Sequence, residues 1–268
     1  MKIDKNKKLL SLKGKFSCIT GASGYIGSLA ADTLASLGSN LIIIDIDKPK
    51  LLKLEKKLKE KYKVKIKAIT KDLTEDDNKI IFKTIKTYCK KLDILINSLG
   101  FVGTSASSGW MTDFEKQTKE QWTKSLDVNL TSVFFLIQSI CPLLAKAKNP
   151  SIINISSIYG SHAPDYDIYK NTGLNNPAGY SISKAGLNHM TKWLASTLAP
   201  KIRVNTISPG GILRGQNSQF LKKYINRTLL KRMGKEEDIR GPIIFLSTDM
   251  SLYITGQNII VDGGWTIK

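Results

Sequence analysis

Apolar residues in this chain fall into short runs, FSCIT (16–20), LIIID (41–45), VKIKAI (64–69), LDILIN (92–97), SIINIS (151–156) and IRVNTIS (202–208). Between them lie longer segments whose apolar residues recur every three to four positions. The first kind reads as a strand and the second as a helix with one face turned to a core. Helices are predicted from about Tyr25 to Leu37, from about Leu51, near Lys79 to Lys90, through WTKSLDVNLTSVFFLIQSICPLLAKA and from Tyr180 to Leu198. A strand followed each time by a helix calls for crossover connections, which cover both faces of a parallel sheet. No repeat, low-complexity tract or linker interrupts the alternation, so residues 1–268 are predicted to form one doubly wound α/β domain. The least regular stretches are 100–115, 160–178 and 210–232.

Composition narrows the class. With 41% hydrophobic and 24% charged residues the chain has the make-up of a globular protein able to bury a normal core. No apolar run approaches the roughly 20 residues that span a bilayer, and the Lys-rich start lacks an apolar segment with a small-residue cleavage site. A cytoplasmic protein without membrane partners is expected. Cys18, Cys89 and Cys141 are far apart, odd in number and joined by only two histidines, which argues against a zinc site or a disulfide framework. The net charge of +19 arises from 41 Lys and Arg against 22 Asp and Glu, with much of the excess in residues 48–91. That stretch is Lys rather than Arg and offers few aromatics for stacking, Tyr62 and Tyr88 among them. It reads as a solvated face rather than a specific nucleic-acid surface, although the overall field would attract anionic substrates or partners.

The first strand runs into TGASGYIG (20–27), a glycine-rich turn opening a helix. Glycine lets backbone approach a dinucleotide pyrophosphate, and the helix N-terminus supplies free N–H groups and positive dipole. Asp45 closes the second strand 18 residues after Gly27, where an acid can bind both hydroxyls of an adenosine ribose. The same acid would repel a 2′-phosphate and no Arg stands beside it, which favours NAD over NADP. For a proton donor the spacing Tyr-x-x-x-Lys is informative, since on a helix it places Lys one turn along the face of Tyr. It occurs twice, at Tyr166/Lys170 and Tyr180/Lys184. Only the second continues in helical period, through Ile182, Leu187, Met190, Trp193, Leu194 and Leu198; the first runs into NTGLNNP, a loop signature. Tyr180 and Lys184 are therefore the expected acid/base pair, the ammonium lowering the phenol pKa, and Tyr166 is a candidate substrate contact. Ser156 and Ser157 close the strand SIINIS at the sheet edge where ligands bind, and Ser157 is the candidate polarising group for a reacting carbonyl.

TGASGYIG, Asp45, KDL (71–73), LDILINSLG, DVNL (127–130), IINISS, YSISK, IRVNTISPGGI and ITGQNIIVDGGWT together resemble the short-chain dehydrogenase/reductase family over nearly the whole chain. The short length and the final segment are similar to its compact oxidoreductase branch. The resemblance implies a single Rossmann domain with a mostly parallel seven-stranded sheet and helices on both faces. It implies a nicotinamide dinucleotide, Tyr180 as general acid/base, Lys184 on the nicotinamide ribose, Ser157 orienting the substrate oxygen, and Asn129 holding a relay water next to Lys184. It further assigns Gly21, Ser23 and Gly27, with Gly24, Tyr25 and Ile26 of the same turn, to the pyrophosphate. Asp45 would take the adenosine ribose, Asp72 and Leu73 the adenine, Asn97 and Gly100 the cofactor beside the fourth strand, and Pro209, Gly210 and Ile212 the nicotinamide side. Read from the residues alone, Asn97 and Asn129 are buried asparagines satisfying backbone groups.

Three departures stand out. Tyr25 occupies a position usually glycine in the compact branch, Asn97-Ser98-Leu99-Gly100 replaces the usual Asn-Asn-Ala-Gly, and the Ser157 to Tyr180 interval of 23 residues is about ten longer than the family's spacing. The last implies an insertion near 161–178 overhanging the active site. It carries His162, Asp165, Tyr166, Asp167, Tyr169, Lys170 and Asn171, while the substrate loop near 210–232 carries Arg214, Gln216, Asn217, Gln219, Lys222 and Lys223. Both are polar, where a steroid or acyl pocket would be mostly apolar, and the segment is similar to short-chain dehydrogenases of bacterial flagellin or surface-glycan modification. The expected reaction interconverts a secondary alcohol and a ketone on a sugar, sugar phosphate or nucleotide sugar, with Arg214 a candidate contact. Two alternatives remain open: a sugar epimerase or dehydratase that retains its NAD, and a non-catalytic dinucleotide-binding, regulatory or basic nucleic-acid-binding protein. The resemblance also implies a homotetramer or dimer through the helices that carry Asn129 and Tyr180.

Overall fold

Unbroken apolar strands must be covered on both faces, and the architecture follows from that requirement. The computed structural model describes residues 5–75, 78–101 and 108–268. After a short helix α1 (Lys5–Leu10) the chain runs β1 (Phe16–Thr20), α2 (Tyr25–Ser36), β2 (Asn40–Asp45), α3 (Lys48–Lys61), β3 (Ile66–Thr70), α4 (Asn78–Tyr88) and β4 (Ile94–Asn97). It continues with α5 (Lys119–Leu126), a π-helical turn (Asp127–Thr131), α6 (Ser132–Leu144), β5 (Ser151–Ile155), α7 (Ala178–Leu198), β6 (Arg203–Pro209), α8 (Ser218–Arg227), α9 (Arg240–Ser247) and β7 (Asn258–Val261). The seven strands form one sheet in the order β3-β2-β1-β4-β5-β6-β7. All six pairings are parallel, so the sheet is wholly rather than mostly parallel. The strand order reverses between β1 and β4, and the crevice at that switch point is where an open α/β sheet binds its ligand.

Alternation along each strand divides its side chains between two cores. Ile19, Leu41, Ile43, Ile96, Ile153 and Ile207 face α2, α3 and α9, while Cys18, Ile42, Ile44, Leu95, Ile152 and Val204 face α4, α6 and α7. The run Lys119–Leu144 is long and apolar enough to cross a membrane by length and composition, which a search for unbroken apolar stretches passes over because Lys124 and Asp127 interrupt it. Its residues Val133, Leu136, Ile137, Ile140 and Leu143 are spent in the second core, so it reads as a core helix. Of the irregular stretches, 102–107 within 100–115 lies outside the described residues. The stretch 210–232 contains α8, whose N-cap Asn217 accepts the Phe220 N–H at 2.8 Å.

A buried polar chain ties the middle of the sheet to α7. Asn97 Nδ2 donates to Asn154 Oδ1 (2.8 Å), Asn154 Nδ2 to Thr191 Oγ1 (2.8 Å), Thr206 Oγ1 to Thr191 Oγ1 (2.7 Å), and Thr191 Oγ1 to the Leu187 carbonyl (3.0 Å). It fixes β4, β5 and β6 against the helix that carries Tyr180 and Lys184. An Asn154→Leu substitution leaves Thr191 and Asn97 each short of a buried partner, at about 1–3 kcal/mol per stranded group. Urea unfolding is expected to show a loss of at least about 2 kcal/mol; an unchanged midpoint would show that the chain adds nothing.

Candidate active site

The turn between β1 and α2 is shaped by how closely its own backbone packs. Gly21 has φ +61°, and a Cβ there would stand 2.5 Å from the Ser98 carbonyl oxygen; a Cβ on Gly27 would stand 2.0 Å from that of Gly21. Gly24, the N-cap of α2, offers no side-chain cap, so the first-turn N–H groups are left for an anion. The Ser23 N–H donates to Asp45 Oδ2 (2.9 Å) and the Asp47 N–H to Asp45 Oδ1 (3.0 Å). The nearly buried carboxylate thus braces the turn while also reaching a cavity of about 760 Å³ with Asp72, Leu73 and Phe101. A second cavity of about 490 Å³ takes in Gly24, Tyr25, Ile26, Ser157, Tyr180, Lys184, Pro209, Gly210, Ile212 and Arg214. Leu99 and Gly100 line both, making one elongated cleft with an acid at one end, a glycine cradle midway and a Ser/Tyr/Lys set at the other. That layout fits an extended dinucleotide.

Helix α7 sets Tyr180 and Lys184 one turn apart, with Lys184 Nζ 6.0 Å from the Tyr180 ring centroid. Lys184 is 3% exposed and donates to the carbonyls of Ile155 (3.0 Å) and Leu99 (3.3 Å). Burial pulls its pKa down to about 8. Burial likewise raises the Tyr180 phenol, and the groups that draw it back are the Ser157 hydroxyl and the positive charge of Arg214. Arg214, from the loop after β6, is a group that the sequence reading did not give this part, which it assigned to Lys184. Ser157 sits just beyond β5, its Oγ accepting the Tyr159 N–H at 3.2 Å, and Ser156 Oγ donates to the Lys184 carbonyl at 3.1 Å. Lys170, by contrast, is spent on an ion pair with Asp167, and no helix links it to Tyr166.

Asn129 lies in the π-helical turn between α5 and α6, a local widening of the helix that recurs at functional sites. Its Oδ1 accepts the Phe101 N–H at 2.6 Å, and Nδ2 lies 3.0 Å from Ser183 Oγ and 3.3 Å from Ser125 Oγ. It is fully buried and holds the segment after β4 that forms the waist of the cleft. Gly21, Ser23 and Gly27 also act from behind the lining. Two expected contacts are displaced. Asn97 is buried and its amide is spent on Asn154, so it joins strands instead of lining the cleft. Tyr166 is 55% exposed and outside both cavities, because the insertion packs away from the cleft.

The insertion docks on α8. Ile158, Ile168, Phe220, Tyr224, Met233 and Trp265 form a third core with Tyr159, Tyr169 and Leu174 packed against it. Asp165 pairs with Arg227, Lys223 Nζ donates to the Asp167 carbonyl at 3.0 Å, and Asn217 donates to the Thr172 carbonyl. Several of its polar residues are thus spent on one another, on α8 and, through Asn175 to the Thr112 carbonyl at 3.0 Å, on the segment before α5. Of the polar loop residues, Arg214 and Gln216 face the cleft. Sequence reasoning missed Leu99, which acts through its backbone carbonyl and so has no residue-type signal. It also missed Tyr224, whose hydroxyl accepts the Gly211 N–H and steadies the turn at Pro209–Ile212; an aromatic on an amphipathic helix looks like ordinary core.

Lys184 leaves a signature in stability. Its pKa is near 8 folded against 10.5 in its ordinary state, so above pH 8 the unfolded chain binds more protons and folding gains as pH rises. Relative to Lys184→Met, the wild type is expected to gain about 2 kcal/mol between pH 7 and pH 10. Denaturation of both proteins across that range measures it, and parallel stability curves would refute the burial of a charged amine.

A family model described as enoyl-(acyl carrier protein) reductase matches residues 21–266. The chain is 34% identical to post-translational flagellin modification protein A of Campylobacter coli, over 95% of this chain and 99% of that protein. It is also 34% identical to the 3-oxoacyl-acyl-carrier-protein reductase FabG of Thermotoga maritima, over 96% and 100%. Among solved structures, a short-chain dehydrogenase from Leptospira borgpetersenii with bound NAD+ superposes with a TM-score of 0.82 at 36% identity, covering 99% of this chain and 97% of that one. Fold, site geometry and these likenesses agree: the chain belongs to the short-chain dehydrogenase/reductase family of nicotinamide-dependent oxidoreductases.

Proposed function

We propose that this protein is an NAD-dependent dehydrogenase/reductase that interconverts a secondary alcohol and a ketone on a sugar, sugar phosphate or nucleotide sugar of flagellin or surface-glycan synthesis. The observation that carries the chemistry is the convergence of Ser157, Tyr180 and Lys184 on one wall of the cleft. In this reading Asp45 holds the adenosine ribose, Asp72 and Leu73 border the adenine, the α2 N-terminus takes the pyrophosphate, and Pro209, Gly210 and Ile212 border the nicotinamide. The bound dinucleotide supplies or accepts a hydride. Tyr180 gives a proton to the substrate oxygen during reduction and takes it back during oxidation, while Ser157 makes a second hydrogen bond to that oxygen and orients it. Lys184, pinned by two carbonyls, holds the nicotinamide ribose, and Asn129 fixes the cleft wall beside it. The position of Asp45 supports NAD over NADP, since its carboxylate opposes a 2′-phosphate.

The likeness to the flagellin modification protein and the polar Arg214 and Gln216 in the cleft support a carbohydrate substrate. The equal likeness to a 3-oxoacyl reductase supports a second reading, reduction of a 3-oxoacyl thioester. NAD-linked turnover of sugar phosphates and nucleotide sugars, set against polyols, hydroxysteroids and 3-oxoacyl thioesters in both directions, separates them. Activity is expected on the sugars. Tyr180→Phe is expected to lower it by about 10²- to 10⁴-fold with NAD binding intact; retained turnover would remove Tyr180 as acid/base, and turnover confined to acyl thioesters would favour the second reading.

Three free cysteines, two of them buried, support a reducing, cytoplasmic setting. The exposed rings of Phe135 and Trp193, 48% and 52% accessible, border an apolar hollow of about 480 Å³ between α6 and α7. A second copy packing there would make the protein a dimer or, through a further contact, a tetramer. The double substitution Phe135→Glu with Trp193→Glu is expected to yield monomers in sedimentation; an unchanged assembly would place the interface elsewhere.

A further inference from the structure

We propose that Arg214 is the anion-recognising residue of this site, so that the substrate carries a carboxylate or phosphate group within reach of the carbon being reduced or oxidised. The inference rests on reading the cleft as the redox site and adds the charge class of its substrate. Arg214 and Lys184 are the two cationic side chains lining the catalytic half among the described residues, and no Asp or Glu lines it. They are in different situations. Lys184 is buried with its amine on two backbone carbonyls. Arg214 is one-third exposed and bonds Glu236 Oε1 through Nε at 2.9 Å, and among the described residues neither terminal Nη of Arg214 has a hydrogen-bond partner.

The guanidinium is also held in place before any ligand arrives. Its carbon lies 4.1 Å from the centroid of the Tyr25 ring, so the plane rests on an aromatic face while Glu236 fixes one edge. Tyr25 stands where the compact branch usually has glycine, and the ring, 65% exposed, gives Arg214 a platform that a glycine could not. The remaining edge presents two N–H donors in the geometry that matches a carboxylate or phosphate bidentately. Glu236 does not line the cavity, so an incoming anion meets the guanidinium rather than its counter-ion. Arg214 lines the same cavity as Ser157 and Tyr180, which puts the anion subsite on the side of the reacting oxygen.

The test uses the enzyme–NADH complex at fixed ionic strength, titrated with inorganic phosphate and followed by NADH fluorescence. Wild type is expected to bind phosphate saturably, and Arg214→Gln to weaken it at least about tenfold while NADH affinity changes by less than about twofold. Tyr25→Leu, which keeps the charge and removes the platform, is expected to fall between. Equal phosphate affinity in wild type and Arg214→Gln overturns the proposal. So does a tenfold loss of NADH affinity in Arg214→Gln with phosphate binding intact, because the guanidinium would then serve the cofactor pyrophosphate. Paired substrates identify the anion: fructose 6-phosphate against fructose, and acetoacetate against methyl acetoacetate. A preference for the charged partner that collapses through KM in Arg214→Gln supports the subsite. If that preference appears in the acetoacetate pair while neither sugar is turned over, the anion site stands and the carbohydrate reading falls.

Discussion

Burying an ammonium group is the constraint around which the active site is organised. An amine removed from water must find acceptors, and Lys184 finds them in the carbonyls of Ile155 and Leu99. Ile155 ends β5 and Leu99 follows β4, so one side chain of α7 clamps two neighbouring strand ends at the carboxyl edge of the sheet. The clamp fixes the height of α7 and hence of Tyr180 one turn before it. It also holds Leu99 at the waist between the two halves of the cleft. Asn129 grips the same segment from the other side through Phe101. Between them the loop after β4 is held from α7 and from the π-helical turn, which a glycine-containing segment would not achieve by itself.

A second division of labour separates chemistry from enclosure. Ser157, Tyr180 and Lys184 stand on β5 and α7, elements packed into the large cores. The insertion and α8 instead build a small aromatic core around Phe220, Tyr224 and Trp265, with Arg227 4.4 Å above the Trp265 ring. Tyr224 reaches from that core to the Gly211 N–H. Packing in the outer layer therefore sets the backbone of the turn at Pro209–Ile212 that lines the cleft, although no insertion residue lines it.

The fold was legible because β1 to β6 are short apolar-rich runs and the helices from α2 to α7 show their own period, whereas α8, α9 and β7 were not among the elements read from the pattern. The glycine cradle, Asp45, Tyr180, Lys184 and Ser157 were legible because their chemistry demands those residue types at those places. Other features were hidden for identifiable reasons. Asn97 looks the same whether it meets a cofactor or Asn154, since only the neighbouring strand decides. Tyr166 and the charged insertion suggested substrate contact because polarity is visible in sequence and the partners that absorb it, Arg227 and Lys223, lie some 60 residues away. The platform under Arg214 was visible only as a departure, a tyrosine in a glycine position, whose use depends on a loop nearly 190 residues later.

Two cations of different kind in one cavity explain how a chain of such high positive charge can still be selective. Most of the lysines lie on solvated helices, where water and salt screen them, and contribute only a diffuse attraction for anions. Lys184 is a compact amine whose burial tunes its proton affinity into the working range and two of whose three donors are already committed. Arg214 instead presents a planar fork that is oriented by an aromatic ring and a carboxylate. An amine in place of Arg214 would be free to rotate and would match an anion at one point only. An arginine in place of Lys184 would carry a planar fork instead of the single ammonium that meets the Ile155 and Leu99 carbonyls. In the proposed reading the roles are therefore not exchangeable: the diffuse field brings an anion to the cleft, the fixed fork orients it, and the buried amine holds the helix that presents Tyr180.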